Sequence, residues 1–238
     1  MMGHSHDVSG LAVGAALLPF APVQHLAGQV AWMAVWAGSA MLPDFDQRGA
    51  TVGRMWGWPT QALATGIGAA CRGHRNGTHD AILGPAAFAG VAYGCTFHPW
   101  ALLTMLAFTI GTALKACAFA IPGRAENTVL GNLAMSWGGA WWLVHTGIGA
   151  PHWLPLAVGG GALVHILGDA LTVGGCPVPF TWFDGRATRY KLSLFRTGSP
   201  VERYAVAPAL IAVAGALLWF NSSLFGFTQG LVDAYHGG

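Results

Sequence analysis

The chain has 238 residues, and only 8% of them are Asp, Glu, Lys or Arg, against about 25% in an ordinary soluble domain. It carries 35 glycines, which let membrane helices approach one another, and 11 tryptophans, a residue that favours the membrane–water interface. Composition therefore excludes an ordinary soluble domain and predicts one integral membrane domain over residues 1–238, while a net charge of +2 gives no indication of a nucleic-acid partner.

Charge-free intervals carry the prediction to particular elements. No Asp, Glu, Lys or Arg occurs between Asp7 and Asp44, between Asp80 and Lys115, between Glu126 and Asp169, or between Arg203 and Asp233. A spanning helix needs about 20 mostly apolar residues, so each of the first three intervals has room for a helical hairpin. Proline-bearing turns at 19–22, 97–100 and 149–152 divide them into predicted segments 8–19, 24–42, 79–96, 100–121, 128–148 and 153–172. A last helix is expected at 204–220, before Asn221-Ser222-Ser223 and a short amphipathic end. The first segment is short for a full span. The predicted fold is all-α: a polytopic membrane helix bundle of about 6–7 membrane helices with a metal site at one face.

Alternation along the chain puts residues 1–7, 43–78, 122–127 and 173–203 on one side of the membrane. Every Lys and Arg falls in those stretches except Lys115, which lies near a helix end on the same side and can snorkel there. The positive-inside rule makes that side the cytoplasm. The four cysteines show no CxxC spacing and read as buried thiols. The N-terminus lacks the basic residues of a signal peptide and is expected to be retained.

The few charges are paired with histidines at the edges of the apolar runs. His6 opens the first segment, Asp44 and Asp46 close the second, His74 and His79 precede the third, and His165 and Asp169 end the sixth. All seven fall on the predicted cytoplasmic side, and His4 could add an eighth. His165 and Asp169 are four apart, hence on one helix face. In Leu42-Pro43-Asp44-Phe45-Asp46 the proline disfavours helix at Leu42, and the carboxylates follow at once. The stretch Gly73-His74-Arg75-Asn76-Gly77-Thr78-His79 contains glycines that let its backbone bend both imidazoles inward.

Each motif alone has an ordinary reading: a helix-face hydrogen bond, a polar loop, a helix stop. Their common location favours a metal site. A catalytic zinc takes about three protein ligands, so seven candidates suit two or more divalent ions, zinc first, with manganese or iron as alternatives. Asp46 is the expected bridging ligand or proton acceptor. His25, His98, His145 and His152 fall near the opposite face and read as interfacial or packing residues.

At these residues the sequence resembles the YdjM-like family of inner-membrane metal-dependent hydrolases. The resemblance rests on His6 and the apolar helix after it, LPDFD at 42–46, GHRNGTH at 73–79, HILGDALT at 165–172, and the stretch Phe195 to Glu202 before the last helix. The usual pattern is nearer HRGxTHS, so Asn76 stands where Gly is common and Asp80 where Ser is common. The family is grouped with zinc-dependent phospholipase C and P1-type nucleases, which hydrolyse phosphodiesters. The resemblance implies a multi-pass protein of the bacterial inner membrane in which His6, Asp44, Asp46, His74, His79, His165 and Asp169 ligate metal.

The expected function is a membrane-bound hydrolase of phosphoesters acting through a metal-activated water. Arg75 would pair with a phosphate oxygen. Membrane lipids are the expected partners, with a phospholipid or another phosphoester as substrate. The basic loop at 176–203 reads first as a positive-inside anchor and second as a lipid head-group contact. The alternatives are a metal transporter and a non-catalytic protein with a structural metal. A zinc protease is disfavoured by the lack of HExxH.

Overall fold

A computed structural model describes residues 1–23, 25–116, 128–146, 151–184 and 187–222. Its helices are α1 (Gly3–Leu17), α2 (Leu26–Ser39), α3 (Trp58–Ala70), α4 (Leu83–Cys95), α5 (Pro99–Ala116), α6 (Val129–His145), α7 (Leu154–Ala170) and α8 (Ala207–Asn221). Short 3-10 turns cover Pro43–Asp46 and Gly77–His79. A two-residue antiparallel pair, β1 (Cys176–Pro177) with β2 (Arg189–Tyr190), is the only sheet among the described residues.

Local chemistry accounts for the helix starts. Prolines occupy the first turns of α3, α5 and α7, where their missing N–H costs nothing. At α6 the Thr128 hydroxyl accepts the Gly131 N–H at 2.9 Å, an ordinary N-cap. Seven of the helices overlap the seven segments expected from the charge-free intervals. The expected turn at 149–150, Cys117 and the end beyond 222 lie outside the described residues.

Helix α3 is the element that sequence reading left out. It lies in the stretch between Arg54 and Arg72 and buries only Thr60, Ala64 and Gly68, one narrow face at a spacing of four. Small residues on that face leave little hydrophobic signal. Gly68 is there because α3 rides on the Pro43–Asp46 turn: a Cβ at Gly68 would lie 2.3 Å from the Asp46 carbonyl oxygen.

At the centre, α2 packs against α1, α5 and α7, while α4 lies on α7, α6 on α5 and α8 on α1. Val35, Leu106, Leu154 and the tryptophans Trp32, Trp36 and Trp153 fill the main core. The Trp32 indole donates to the Gly14 carbonyl at 2.8 Å, so a buried N–H on α2 is satisfied by α1. Gly38 lets α2 touch α5, since a Cβ there would fall 1.9 Å from the Thr109 carbonyl oxygen.

The outside is apolar as well. Leu63, Val91, Trp100, Leu130, Trp141, Ile211 and Phe220 are all exposed. α8 buries only Ala207 and Ala214 of its length although almost every residue is apolar. A surface like this belongs in lipid. Among the described residues, Pro99–Ala116 and the continuous Glu202–Asn221 are long and apolar enough to cross a membrane, and Leu83–Cys95 and Leu154–Ala170 are shorter apolar helices.

Candidate metal centre

Four elements deliver the expected side chains to one place. α1 brings His6, α7 brings His165 and Asp169, the Pro43–Asp46 turn brings Asp44 and Asp46, and the loop ending in the Gly77–His79 turn brings His74 and His79. Two groups have one ligand atom from each member within 4.8 Å of the others: His6, His165 and Asp169, and Asp44, His74 and His79.

The groups meet at their inner members. His79 Nε2 and His165 Nε2 are 3.3 Å apart. Asp44 Oδ1 lies 3.6 Å from each of them. Asp169 Oδ2 lies 3.7 Å from His79 Nε2 and 3.8 Å from His165 Nε2. Tetrahedral ligands at a zinc–donor distance near 2.0–2.1 Å stand about 3.3–3.4 Å apart. Each carboxylate thus stands with the two imidazole nitrogens at close to the spacing of donors around one divalent ion.

The neighbours fix their orientation. His165 Nδ1 is 2.7 Å from the Ala40 carbonyl oxygen, which can only accept, so Nδ1 carries the proton and Nε2 turns inward with its lone pair. His6 stacks on His165 with centroids 3.6 Å apart, and its Nε2 lies 3.3 Å from Asp169 Oδ1. Gly168 leaves space for the Met1 side chain, since a Cβ there would sit 2.7 Å from its sulfur while making only ordinary contact with the His6 ring. Neither nitrogen of His6 has a hydrogen-bond partner, although both are buried. Buried polar atoms in that position are rare, and a metal ion would satisfy the nitrogen that carries the lone pair. The donor set fits such an ion.

Asp46 has a different surrounding from the bridging position expected for it. Its Oδ1 lies 2.7 Å from His74 Nδ1. Its Oδ2 accepts the Thr78 hydroxyl at 2.6 Å and the Arg75 amide at 3.0 Å, and lies 3.4 Å from His79 Nδ1. Arg75 points its guanidinium at Asp169 Oδ2, 2.9 Å away, and the Met1 amine contacts Asp169 Oδ1. The loop needs unusual backbone to do this. Arg72, Gly73 and Arg75 have φ of 56°, 103° and 61°. Positive φ is uncommon for arginine, and two such residues in one loop indicate a surrounding that imposes the conformation.

His4 is exposed and stands outside the cluster, since two helix positions turn it away from His6. His25, His98, His145 and His152 are exposed too.

The profile of the family described as YdjM inner membrane protein matches residues 1–121. The chain belongs to that family. No curated protein and no solved structure matches it. The YdjM match takes in α1, both turns and the loop, hence His6, Asp44, Asp46, His74, Arg75 and His79. His165 and Asp169 lie beyond it, and their place in the cluster rests on the fold. The match brings no link to zinc-dependent phospholipase C or P1-type nucleases.

Electrostatics in the YdjM cluster follow from its packing. Burial works to raise the pKa of Asp44, but His165 and His79 outweigh it and hold the carboxyl below the ordinary carboxylate range. Asp46 is likewise depressed against the effect of burial, through His74, His79 and Thr78. Burial works to lower the His79 pKa, yet Asp44 and Asp46 leave it raised. Both carboxylates thus stay ionised, ready for a cation.

Sequence reasoning missed the carboxylates that hold the YdjM loops in place. Asp80 is fully buried. Its Oδ1 accepts the Ile82 and Leu83 amides, both at 2.9 Å, and its Oδ2 accepts the Phe180 amide at 2.7 Å and the Trp182 indole at 3.0 Å. A short polar residue just before an apolar run is a capping signal, and Ser and Asp serve it alike, which accounts for Asp80 at a position where Ser is common. Asn76 donates to the Arg72 carbonyl at 2.7 Å across its own loop. Buried Glu202 accepts the Met2 amide at 2.6 Å and the Gly198 amide at 2.7 Å. No sequence signal distinguished it from a solvated charge. All three described cysteines are free, and burial pushes the Cys176 thiol up to about 12.

Proposed function

We propose that this chain is a multi-pass membrane hydrolase that cleaves phosphoester bonds at a divalent metal centre facing the cytoplasm. The observation that carries the reading is the facing pair His79 Nε2 and His165 Nε2, 3.3 Å apart, with Asp44 Oδ1 3.6 Å from each and Asp169 Oδ2 3.7 and 3.8 Å from them. In this reading these four, with His6 and His74 beside them, hold one or two ions, zinc first. An ion held there would supply Lewis acidity and an activated water near neutral pH.

The protein's own groups do the rest. Asp46 is a positioning residue: it takes the Nδ1 side of His74 and His79 and so directs the Nε2 side of each inward. Arg75 keeps N–H donors beyond the one facing Asp169 and can hold an anionic phosphoryl oxygen beside the centre. Asp44 and His74, whose side chains are 19% and 34% exposed, mark the side from which a substrate reaches the donors.

Orientation rests on the basic loops. Arg189 donates to the Arg75 carbonyl at 3.1 Å, so the loop carrying β2 lies against the loop of His74 and His79. Both loops are arginine-bearing, and the positive-inside rule puts the face they form in the cytoplasm. The remaining apolar helices, packed on the two of spanning length, complete a bundle of about 6–7 membrane segments.

Metal reconstitution of detergent-purified protein, followed by a screen of phosphodiesters and phospholipids, tests the proposal. Turnover that a chelator abolishes and the ion restores is expected. A metal-loaded protein without turnover rejects the enzyme, and metal flux into proteoliposomes in its place makes the chain a transporter.

A further inference from the structure

We propose that an apolar groove beside Asp44 holds an acyl chain, so that the phosphoester presented to the centre belongs to a membrane lipid. The proposal rests on the hydrolase reading above and names its substrate class. The groove has a volume of about 540 Å³ and lies between α3, α4 and α5, with Leu42, Phe45, Ile67, Val91, Ala101 and Phe108 among its walls. Ligand sites commonly measure about 300–1,000 Å³ and hold apolar molecules through walls of this kind.

Two observations select the occupant. One wall is α5, which is of membrane-spanning length, and the rim residues Val91 and Trp100 are exposed. In an inner-membrane protein a groove bounded this way opens sideways to hydrocarbon, and the molecule at hand there is an acyl chain. The groove also adjoins the turn that carries Asp44. Leu42 and Phe45 line it, while Asp44, between them in the same turn, lies 3.6 Å from His79 and His165. From Trp100 to Phe108 the α5 wall rises about 12 Å. A chain lying along it places its polar end at Asp44, within reach of the Arg75 loop. The head group then meets the metal donors while the tail stays in an apolar surround.

Chain length and cross-linking test this together. Each methylene taken out of water strengthens binding about fourfold, so kcat/KM of the metal-loaded protein should rise at least about tenfold between four-carbon and ten-carbon phosphodiesters. Ala101→Trp fills the groove and should flatten that rise; the ratio between chain lengths cancels any loss of folded protein. A flat series in the wild type, or an unchanged one in Ala101→Trp, overturns the proposal. A phospholipid with a diazirine in its acyl chain gives a readout free of turnover. Adducts at Val91 and Ala101 should exceed those at exposed Leu130 on α6 by about fourfold or more, the gain from a single buried methylene. Equal labelling at all three means ordinary surrounding lipid and rejects the groove. Groove adducts without turnover on any ester keep the groove and defeat the hydrolase; turnover on short esters alone, with equal labelling, does the reverse.

Discussion

The two halves of the centre are built differently. His6, His165 and Asp169 stand on helices and are completely buried, whereas Asp44, His74 and His79 stand on turns, with Asp44 and His74 partly exposed. A helix fixes its side chains through packing along its whole length. The turn-borne set depends on local hydrogen bonds, chiefly those of Asp46 and Asp80. Helix electrostatics make the same distinction. Asp169 lies in the last turn of α7 and His6 in the first turns of α1. A carboxylate at a helix C-terminus, or an imidazolium at an N-terminus, opposes the helix dipole. Carrying them there is intelligible if the imidazole is neutral and the carboxylate faces a cation. In the proposed reading the helix-borne half would retain the ion, and the turn-borne half would admit the substrate.

Breaking the helix-borne half should have the largest effect. Asp169→Ala removes a central donor and leaves Arg75 without its buried partner, a loss of about 3–5 kcal/mol where an ion pair is broken from one side. Metal affinity should fall by more than the about 10–100-fold typical of an outer partner. Melting temperature and equilibrium dialysis on the detergent-purified variant measure both, and an unchanged metal content would dissolve the distinction between the halves.

His74→Ala tests the turn-borne half. Its ring is partly exposed, so the fold should hold, with activity or metal affinity reduced by about 10–100-fold. A collapse in stability as large as that of Asp169→Ala would mean the two halves are equivalent.

A pH test sharpens the contrast at His79. Its raised pKa stabilises the metal-free fold below the unfolded value of about 6.5, and that contribution is lost as pH rises through the folded pKa. An ion requires the neutral imidazole, so its binding strengthens over the same interval. The gain in melting temperature on adding zinc should therefore be larger at pH 8 than at pH 6. Equal gains at the two pH values would take His79 out of the ligand set.

Asp80→Ser should have the smallest effect. Serine can still cap α4 but cannot also reach Phe180 and Trp182, a loss of about 1 kcal/mol for each net hydrogen bond given up. Rapid hydrogen exchange near Trp182 with metal content unchanged is the expected outcome. Loss of metal would make Asp80 part of the centre itself.

How much of this the sequence carried depends on scale. Wherever a helix is continuous and almost wholly apolar, as in α2, α5 and α7, the apolar run announces it, because lipid leaves a spanning segment no other way to satisfy its backbone. α3 escaped because its buried face is Thr60, Ala64 and Gly68, small residues with little hydrophobic contrast. The ligand types at His6, His165 and Asp169 were legible for the same reason that they are expensive: buried charge has few other uses. The placement of Asp46 and Arg75 was not. Which oxygen of Asp46 meets which imidazole depends on the positive-φ backbone at Arg72, Gly73 and Arg75, and an arginine at positive φ leaves no trace in composition or spacing. Glu202 is similar, since its partners are backbone amides of Met2 and Gly198, which any residue supplies.

Metal analysis of the detergent-purified protein, wild type beside His165→Ala, tests the central claim most directly. The proposed centre predicts a stoichiometric divalent ion in the wild type, as isolated or after reconstitution, and its loss in the variant. A wild type that binds no ion after reconstitution, or a variant that keeps it, would contradict the account.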